Sequence, residues 1–223
     1  GPASVMKLSI VMPVLNEAAQ IEAALAALQI YRQRGVELIV ADGGSQDGTP
    51  MLARTLADRV VSAPRGRASQ MNAGAAAATG EVLLFLHADT QLPPDADQLV
   101  LDGLARTTRQ WGRFDVRIDG GGMLRIIALA MNWRSRLTGI CTGDQAMFVT
   151  RALFDQAGPF PAIALMEDVQ LSATLKRTGK PLCLAAKVTT SPRRWQQHGV
   201  WRTMLLMWRL RLAYYFGADP AKL

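Results

Sequence analysis

Three short polar segments follow apolar runs in the first half of the chain, and each carries side chains that can bind a ligand. The segments are Asn16-Glu17, the loop 42–48 that begins with Asp42, and His87-Ala88-Asp89. Short apolar runs bounded by turn residues are typical of buried strands, and open α/β sheets bind ligands at the carboxyl ends of their strands. One such segment is equally compatible with a helix cap or a tight turn, but three together favour a binding site at one edge of a sheet.

The loop after Asp42 is rich in glycine but lacks the lysine and the spacing of a phosphate-binding P-loop. It also lacks the G-x-G-x-x-G pattern of dinucleotide folds. A carboxylate at a strand end is suited instead to accept hydrogen bonds from a nucleobase or a ribose, and Gly44 lets a ligand approach the backbone. Arg65 and Arg67 in the next loop either donate to a diphosphate or form a solvated basic turn.

Asp89 has the chemistry of a metal ligand. Hard divalent cations prefer carboxylate oxygens and keep coordination positions for phosphate oxygens. His87 is a softer ligand, and a histidine that ends an apolar strand is often only packed or hydrogen-bonded. The two residues are two apart, so on an extended chain their side chains point to the same side. The sequence therefore predicts a divalent-cation site centred on Asp89.

A second group of carboxylates, Glu167-Asp168, follows the proline-containing stretch 158–161. A carboxylate at the start of a helix stabilises the helix dipole. The functional alternative is a general base, which must lie within hydrogen-bond reach of the proton it removes. Both interpretations stay open at the level of the sequence.

The elements that would position these side chains alternate between strands and helices. In the first half, the predicted strands are 8–14, 36–41, 59–62 and 81–86. Asn16 is the predicted N-cap of the first helix. Thr49 is the predicted N-cap of the next helix, with Pro50 as its first residue, and an alanine-rich helix precedes the last of these strands. This alternation predicts an α/β fold with a parallel, doubly wound sheet and helices on both faces.

The second half of the chain is less regular. Residues 112–118 alternate like an edge strand, and 123–133 form an apolar helix. The remaining predicted strands are 145–149 and 182–188, and the remaining predicted helices are 93–106, 151–156, 167–177 and 200–216. No linker separates the two halves, so residues 5–223 are predicted to form a single domain, and residues 1–4 are interpreted as a tag remnant.

Composition narrows the class of protein. The chain has 223 residues, of which 49% are hydrophobic and 19% are charged, and its mean hydropathy is +0.10. These values exclude a disordered chain, a collagen and a coiled coil. No apolar run approaches the roughly 20 residues of a membrane span, and no signal peptide is expected. Two cysteines favour a reducing, cytoplasmic compartment.

Charge is distributed unevenly along the chain. Residues 1–101 carry 7 basic and 10 acidic groups, whereas residues 187–223 carry 7 basic groups and 1 acidic group. The basic second half could meet nucleic acid, a membrane surface or a phosphorylated substrate. Residues 200–216 mix aromatic side chains with arginines, which is typical either of an amphipathic helix on an anionic membrane or of a packing helix whose arginines extend to water.

The order and spacing of several motifs identify the chain as resembling the family 2 glycosyltransferases, which have the GT-A fold. The matching segments are IVMPVLNE (10–17), VADGGSQDGT (40–49), ASQMNAG (68–74), FLHAD (85–89), GDQ (143–145), LMED (165–168) and SPRRW (191–195). The last three are similar to the small bacterial branch of the family that is associated with radical-SAM and selenium-related genes. The resemblance covers nearly the whole chain.

The resemblance implies an inverting transfer of a sugar from a nucleotide sugar, with UDP as the expected nucleotide. Asp168, with Glu167 beside it, would be the general base. Asp89 would bind Mn²⁺ or Mg²⁺, and Arg67 would stabilise the departing diphosphate. The implied donor-binding residues are Pro13, Asn16, Glu17, Asp42, Gly44, Arg65, Arg67, Asn72, His87 and Ala88. The residues implied on the acceptor or diphosphate side are Gly143, Asp144, Gln145, Arg193, Arg194 and Trp195.

One position departs from the family pattern. His87 occupies the place of the first aspartate of the family's Asp-x-Asp, which removes one carboxylate from the metal site. The alternatives are a sugar nucleotidyltransferase, a non-catalytic nucleotide-sugar-binding protein and a nucleic-acid-binding protein. Asn16-Glu17 does not match the glycine-rich start of a nucleotidyltransferase, and the acidic first half disfavours nucleic acid. The predicted partners are a nucleotide-sugar donor and an acceptor whose identity the sequence does not specify.

Overall fold

A mixed sheet of eight strands organises the part of the chain that the computed structural model describes, which is residues 6–139, 145–161, 167–191, 208–209, 212–213 and 215–217, with 167–169 described by their backbone. The strands are β1 (Leu8–Val14), β2 (Glu37–Asp42), β3 (Arg59–Ser62), β4 (Val82–Phe85), β5 (Thr90–Gln91), β6 (Trp111–Ile118), β7 (Phe148–Thr150) and β8 (Leu182–Thr190). Their order across the sheet is β3-β2-β1-β4-β7-β6-β8-β5.

Helices cover both faces of this sheet. They are α1 (Ile21–Ala26), α2 (Gln29–Gln33), α3 (Thr49–Ala53), α4 (Arg67–Ala77), α5 (Ala96–Arg106), α6 (Met123–Thr138), α7 (Arg151–Ala157) and α8 (Glu167–Lys176). The single α/β domain with helices on two faces agrees with the predicted fold class. In the described residues, no helix has the length and apolar character needed to cross a bilayer.

The first four strands in the order, β3, β2, β1 and β4, are all parallel. This confirms the parallel first half, and the bounds of β1 and β3 coincide with the predicted ones. All residues of β2 and β4 are buried, because helices cover both faces of a parallel sheet. The carboxyl ends of β1 and β2 lie side by side, with Val14 opposite Asp42, so the loops that follow them meet at one edge.

The strands of the second half make the sheet a mixed one, with both parallel and antiparallel pairs. β7 runs antiparallel to both β4 and β6, β6 runs parallel to β8, and the two-residue β5 adds to β8. The prediction of an edge strand at 112–118 was wrong, since β6 lies inside the sheet and only Arg117 in it is exposed. Arg113 and Asp115 gave the strand its alternating appearance, but they are buried and form an ion pair with each other.

This ion pair extends to α6, where Arg136 Nη2 lies 2.7 Å from Asp115 Oδ2. Arg113 is completely buried, and among the residues that the structure describes its Nε and Nη2 atoms have no hydrogen-bond partner. Burying a guanidinium, which is always charged, is destabilising unless an anion lies beside it, because desolvation penalises an unpaired ion strongly. Asp115 therefore balances a cation in the interior beneath β6.

β7 is only three residues long, so side chains replace a strand along the rest of β6. Asn132 of α6 accepts from Val116 N at 2.9 Å and donates to Val116 O at 3.2 Å. Gln145 Nε2 donates toward Phe114 O at 3.5 Å and to Ser135 Oγ at 3.2 Å. These bonds satisfy backbone groups that would otherwise be buried without partners.

Two hydrophobic cores lie on opposite faces of the sheet. The larger one packs alternate residues of β1, β2, β4 and β6 against α1, α2, α3, α5 and α6. The smaller one packs the other face against α4, α7 and α8, and includes the edge-to-face pair of Phe85 and Phe160 with ring centroids 4.8 Å apart. Most of the predicted helix 200–216 lies outside the described residues.

Candidate active site

A cleft of about 300 Å³ opens at the carboxyl ends of β1 and β4. The residues that line it are Pro13, Val14, Leu15, Glu17, Arg65, Gly66, Arg67, Gln70, His87, Ala88 and Asp89. Seven of these were predicted to belong to the site, and they come from three segments that are far apart in the sequence. The parallel pairing of β1 with β4 brings the first and third segments together, as the position of ligand sites in open α/β sheets predicts.

Asp89 lies on a turn rather than on an extended strand. β4 ends at Phe85, and Thr90 N donates to His87 O at 3.1 Å, which closes a turn through Ala88 and Asp89. The assumption of an extended chain was therefore wrong here, although His87 and Asp89 still line the same cleft. Asp89 is exposed, and Thr90 Oγ1 lies 3.5 Å from its Oδ1.

A positively charged loop forms another wall of the cleft. Arg65 and Arg67 are exposed and flank Gly66, which has φ = 140° and immediately precedes α4. The first N–H groups of a helix carry a partial positive charge and lack partners within the helix. Two guanidinium groups and a helix N-terminus at this wall form a good environment for a phosphate or diphosphate.

Gln70 is a cleft residue that the sequence analysis did not select. It is buried, and its Nε2 donates to Val14 O at 2.7 Å and to Ala41 O at 3.0 Å. Its Oε1 accepts from Gly66 N at 3.3 Å, so one side chain ties β1 and β2 to the basic loop. The available signal was a polar residue on the otherwise apolar face of an alanine-rich helix.

Gly43 is shaped by the same side chain. A Cβ atom added at residue 43 would lie 2.6 Å from Gln70 Oε1 and 2.7 Å from Gln70 Cδ, which is closer than nonbonded atoms approach. The glycine after Asp42 is therefore required for the packing of Gln70 and not only for the turn.

Asp42 organises its own loop in this structure. Its buried carboxylate accepts from Gly44 N at 3.0 Å, from Ser45 N at 2.9 Å and from Ser45 Oγ at 2.5 Å. Asp42 and Gly44 are not among the residues that line the 300 Å³ cleft. The loop they form lies beside it, at the neighbouring ends of β1 and β2.

Asn16 connects this loop to the end of β1. The prediction that it caps the first helix was wrong, because α1 begins at Ile21 after Gln20. Asn16 instead has φ = 51°, its N–H donates to Ser45 Oγ at 2.8 Å, and its Oδ1 accepts from Gln46 N at 2.9 Å. The short polar side chain of asparagine tolerates this left-handed conformation.

Glu17 is held at the cleft by the start of α3. Its N–H donates to Thr49 Oγ1 at 2.9 Å, and Asp47 Oδ2 accepts from Ala18 N at 3.1 Å. A hydrogen bond from the Thr49 hydroxyl lowers the pKa of the Asp47 carboxyl below its usual value. Thr49 is the first residue of α3 and Gly48 is its N-cap, so the predicted cap was one residue late.

Asn72 does not line the cleft, although it was assigned to donor binding. Its Nδ2 donates to Phe160 O at 2.9 Å, and its Oδ1 accepts from Phe160 N at 2.8 Å. This reciprocal pair fixes α4 to the segment that leads toward α8. The amide is thus engaged with the backbone of the protein itself.

The carboxylates of the cleft match the requirement of a cation shared with a diphosphate. Within the described ranges, no group of three His, Cys, Asp or Glu side chains is arranged as a metal site. A Mg²⁺ or Mn²⁺ ion that is bound to substrate phosphates needs only one or two protein carboxylates, because phosphates and water supply the remaining ligands. Asp89 and Glu17 are the carboxylates among the residues that line the cleft. Exposed Asp89 can therefore supply one carboxylate to such a cation.

The remaining predicted residues lie elsewhere. Glu167 and Asp168 begin α8, where the backbone alone is described. Gln145 is buried and bonded to β6 and α6, which is a structural position. Gly143, Asp144, Arg193, Arg194 and Trp195 lie outside the described residues.

Comparison of the sequence with models of protein families identifies the family of this chain. The model for Glycosyl transferase family 2 matches residues 9–153, which include every segment that lines the cleft. The chain belongs to glycosyl transferase family 2. The family assignment predicted from the motifs is thereby confirmed.

Relatives of this family 2 member include a PGL/p-HBAD biosynthesis glycosyltransferase of Mycobacterium bovis. It is 30% identical over 167 residues, which cover 68% of this chain and 62% of the relative. A glycosyltransferase of Haloferax volcanii, AglE, is 33% identical over 90 residues, 36% of this chain and 30% of the relative. The chain thus spans about three fifths of the mycobacterial relative's length.

Solved structures share the fold at lower identity. The mannosyltransferase PcManGT of Pyrobaculum calidifontis, solved with GDP-Man and Mn²⁺, has a TM-score of 0.69 at 23% identity and covers 95% of this chain and 62% of its own. Glucosyl-3-phosphoglycerate synthase of Mycobacterium tuberculosis, solved with Mn²⁺, UDP and phosphoglyceric acid, has a TM-score of 0.67 at 23% identity, with coverage of 96% and 80%. These likenesses establish a GT-A fold.

Proposed function

We propose that this chain transfers a sugar from a nucleotide sugar, with a UDP-sugar as the expected donor, to an acceptor hydroxyl. The observation that carries the proposal is the pairing, in one cleft, of a cationic wall at Arg65–Arg67 with the carboxylate of Asp89. A nucleoside diphosphate is polyanionic, so it requires both direct cationic donors and a carboxylate that can share a metal ion with it. The volume of about 300 Å³ is at the lower end of small-molecule sites.

Residues at different places in the site bind different parts of the donor in this proposal. Arg65, Arg67 and the first N–H groups of α4 bind the diphosphate and stabilise the charge that develops as it leaves. The loop 42–48, held in shape by Asp42, provides the surface for the nucleoside, with Glu17 at its side. A Mn²⁺ or Mg²⁺ ion at Asp89 would neutralise the same leaving group.

The acceptor hydroxyl is deprotonated by Asp168 in this proposal, and a single in-line displacement then inverts the anomeric carbon. Leu171 and Leu175 of α8 pack in the same core as Phe160, whose backbone is bonded on both sides to Asn72. A general base must be held within hydrogen-bond reach of its proton, so we assign Asn72 a positioning role rather than donor contact.

The cellular compartment and the branch of the family are proposed from the sequence. We propose a cytoplasmic site of reaction, since the two cysteines are not spaced as a disulfide framework. We also propose membership of the bacterial branch associated with radical-SAM and selenium-related genes, on the basis of the segments 143–145, 165–168 and 191–195. The acceptor's identity is left to experiment.

A donor panel tests the proposal. UDP-glucose, UDP-galactose, UDP-GlcNAc and GDP-mannose are added with Mn²⁺, Mg²⁺ or EDTA while the melting temperature and the release of nucleoside diphosphate are followed. A ligand at 100 times its Kd stabilises the protein by about 2.7 kcal/mol. We expect one donor to raise the melting temperature, less so in EDTA and in Arg67→Gln. The matched control is Arg54→Gln, at the exposed residue that follows α3.

Two substitutions separate catalysis from binding. Asp168→Asn is expected to abolish turnover while the donor-induced shift is retained, and Glu167→Gln is expected to retain both. The reverse pattern would make Glu167 the base. No shift with any donor under any metal condition would contradict the proposed function.

A further inference from the structure

Helix α6 is apolar on two faces, of which only one is buried. Leu124, Ile127 and Met131 pack into the larger core. On the opposite side, four large apolar residues are spaced at helical intervals and exposed to solvent. We call them the α6 stripe: Ile126 (57% exposed), Leu129 (51%), Trp133 (64%) and Leu137 (77%). Single exposed apolar residues need no explanation, but a continuous row marks an interaction surface.

The charge of α6 is one-sided. The sixteen residues Met123–Thr138 contain three arginines and neither aspartate nor glutamate, and one of the three, Arg136, pairs with buried Asp115. Arg125 adjoins the stripe at Ile126 and is exposed. An apolar row with a tryptophan and only basic charges is typical of helices that lie in the interface of an anionic membrane.

A second cleft, of about 380 Å³, lies against the same helix at the carboxyl end of β6. Its charged lining residues are Arg117, Arg125, Lys187 and Asp119, so cations outnumber carboxylates by three to one. Leu129 belongs both to this cleft and to the α6 stripe. The basic cleft is therefore continuous with the apolar row.

We propose that α6 docks this protein on an anionic membrane surface. In this arrangement, the α6 stripe enters the boundary between headgroups and acyl chains, while Arg117, Arg125 and Lys187 bind the phosphates of neighbouring lipids. Both features are needed, because apolar burial and attraction to anionic lipids add to the strength of interfacial binding. The proposal concerns residues far from 200–216 in sequence and does not depend on the proposed function.

Charge complementarity selects this occupant over a second copy of the chain. In a twofold contact centred on the α6 stripe, the same patch lies on both copies, so two patches that each carry three cations and one carboxylate would be brought together. A surface of lipid phosphates has the opposite sign and leaves no such repulsion.

Co-sedimentation with vesicles tests the proposal on the full chain. We expect binding to equimolar phosphatidylcholine and phosphatidylglycerol vesicles, and weak binding to phosphatidylcholine alone. The double substitution Leu129→Ser/Trp133→Ser should weaken binding about tenfold or more. Arg125→Gln and Lys187→Gln should each weaken it about fivefold, and added salt should weaken it further.

Matched controls and contrary outcomes are available in the same chain. Ile30→Ser and Met51→Ser, at residues 49% and 73% exposed on α2 and α3, should leave binding unchanged, and melting temperatures verify that every variant is folded.

Equal binding to both kinds of vesicle overturns the proposal, as does loss of binding in Trp208→Ser/Leu212→Ser but not in the α6 variants. A dimer that Leu129→Ser/Trp133→Ser dissociates, seen by sedimentation velocity, assigns the stripe to a second copy. Stabilisation by inorganic phosphate through Arg125 and Lys187, without vesicle binding, assigns the cleft to a soluble anion.

Discussion

The two edges of the parallel sheet carry carboxylates in opposite situations, and β2 shows both because it begins with Glu37 and ends with Asp42. At the amino edge, Glu37 accepts from Ser9 Oγ at 2.8 Å, Thr79 N at 2.8 Å and Thr79 Oγ1 at 3.0 Å. At the carboxyl edge, the donors to Asp42 belong to its own loop, and Asp89 beyond β4 is exposed in a cleft.

This difference shows how one sheet separates stability from chemistry. Glu37 of β2 accepts hydrogen bonds from Ser9 of β1 and from Thr79, which precedes β4. Gly80 N also donates to Ser9 Oγ at 2.9 Å. The polar groups at the amino edge are therefore bonded to one another. At the carboxyl edge the strands end in loops that diverge, which leaves room for a ligand. Substitutions at the two edges should therefore affect different properties.

The largest effect is expected at Asp89. Asp89→Asn keeps the shape of the side chain but removes its charge, and turnover should fall about 100-fold to 1,000-fold because charge stabilisation of the leaving group is lost. Steady-state kinetics with the donor found in the panel measures this. The control Asp102→Asn, an exposed carboxylate on α5, should retain activity, and an Asp89→Asn enzyme with full turnover would break the distinction between the edges.

Glu37→Gln should affect stability and leave turnover per folded molecule unchanged. The carboxylate is buried and accepts three hydrogen bonds, and an amide nitrogen facing these donors would leave some of them unpaired. We expect the free energy of unfolding to fall by about 2 kcal/mol. Urea denaturation measures the change, with exposed Glu22→Gln on α1 as a control; a drop in turnover with unchanged stability would contradict the structural role.

Gln70→Leu should change both stability and donor binding, each by less than the two substitutions above. The substitution leaves Val14 O and Ala41 O without their donor and releases Gly66, so the free energy of unfolding should fall by about 1.5 kcal/mol. The donor's KM should rise while kcat is nearly unchanged, because the basic loop is displaced rather than removed. Gln98→Leu, exposed on α5, is the control, and a change in kcat alone would argue against a positioning role.

The smallest expected effect is a pH dependence at the amino edge. Burial alone would raise the pKa of Glu37, but hydrogen bonds from Thr79 and Ser9, together with Lys7, hold it below the usual value of 4.5. A depressed pKa stabilises the folded state above the usual pKa, and that contribution is lost as the pH falls through the folded-state value. The stability difference between wild type and Glu37→Gln should therefore shrink from pH 7 toward pH 3 in urea titrations. A constant difference would show that Glu37 carries no depressed pKa.

The first half of the fold was predictable because β1, β2 and β4 are short apolar runs, buried almost throughout, with a turn signal on either side. The second half was less so. β6 was assigned to an edge because Arg113 and Asp115 alternate with apolar residues, and a sequence pattern does not show that two such charges neutralise each other inside the protein. The two-residue β5 was missed, since a pairing of that length depends on β8 rather than on its own residues.

The same distinction applies to the candidate site. Glu17, Arg65, Arg67, His87 and Asp89 were selected because charged residues at strand ends are chemically conspicuous, and the cleft gathers all five. Gln70 was missed and Asn72 was assigned to the donor, although the two amides lie only two residues apart on α4. Which of them faces the cleft and which faces Phe160 depends on the packing of α4 against the sheet.

The sequence alone determined the family, the parallel first half and the chemical types available at the strand ends, because these depend on local patterns and on motif order. The tertiary structure alone decided that Gln70 binds the ends of β1 and β2, that Arg113 and Asp115 lie inside the sheet, and that α6 presents a second apolar face to solvent. Each of these facts depends on which distant segments come into contact. Hydrogen bonds, ion pairs and solvent exposure are properties of those contacts, and no single segment of the chain contains them.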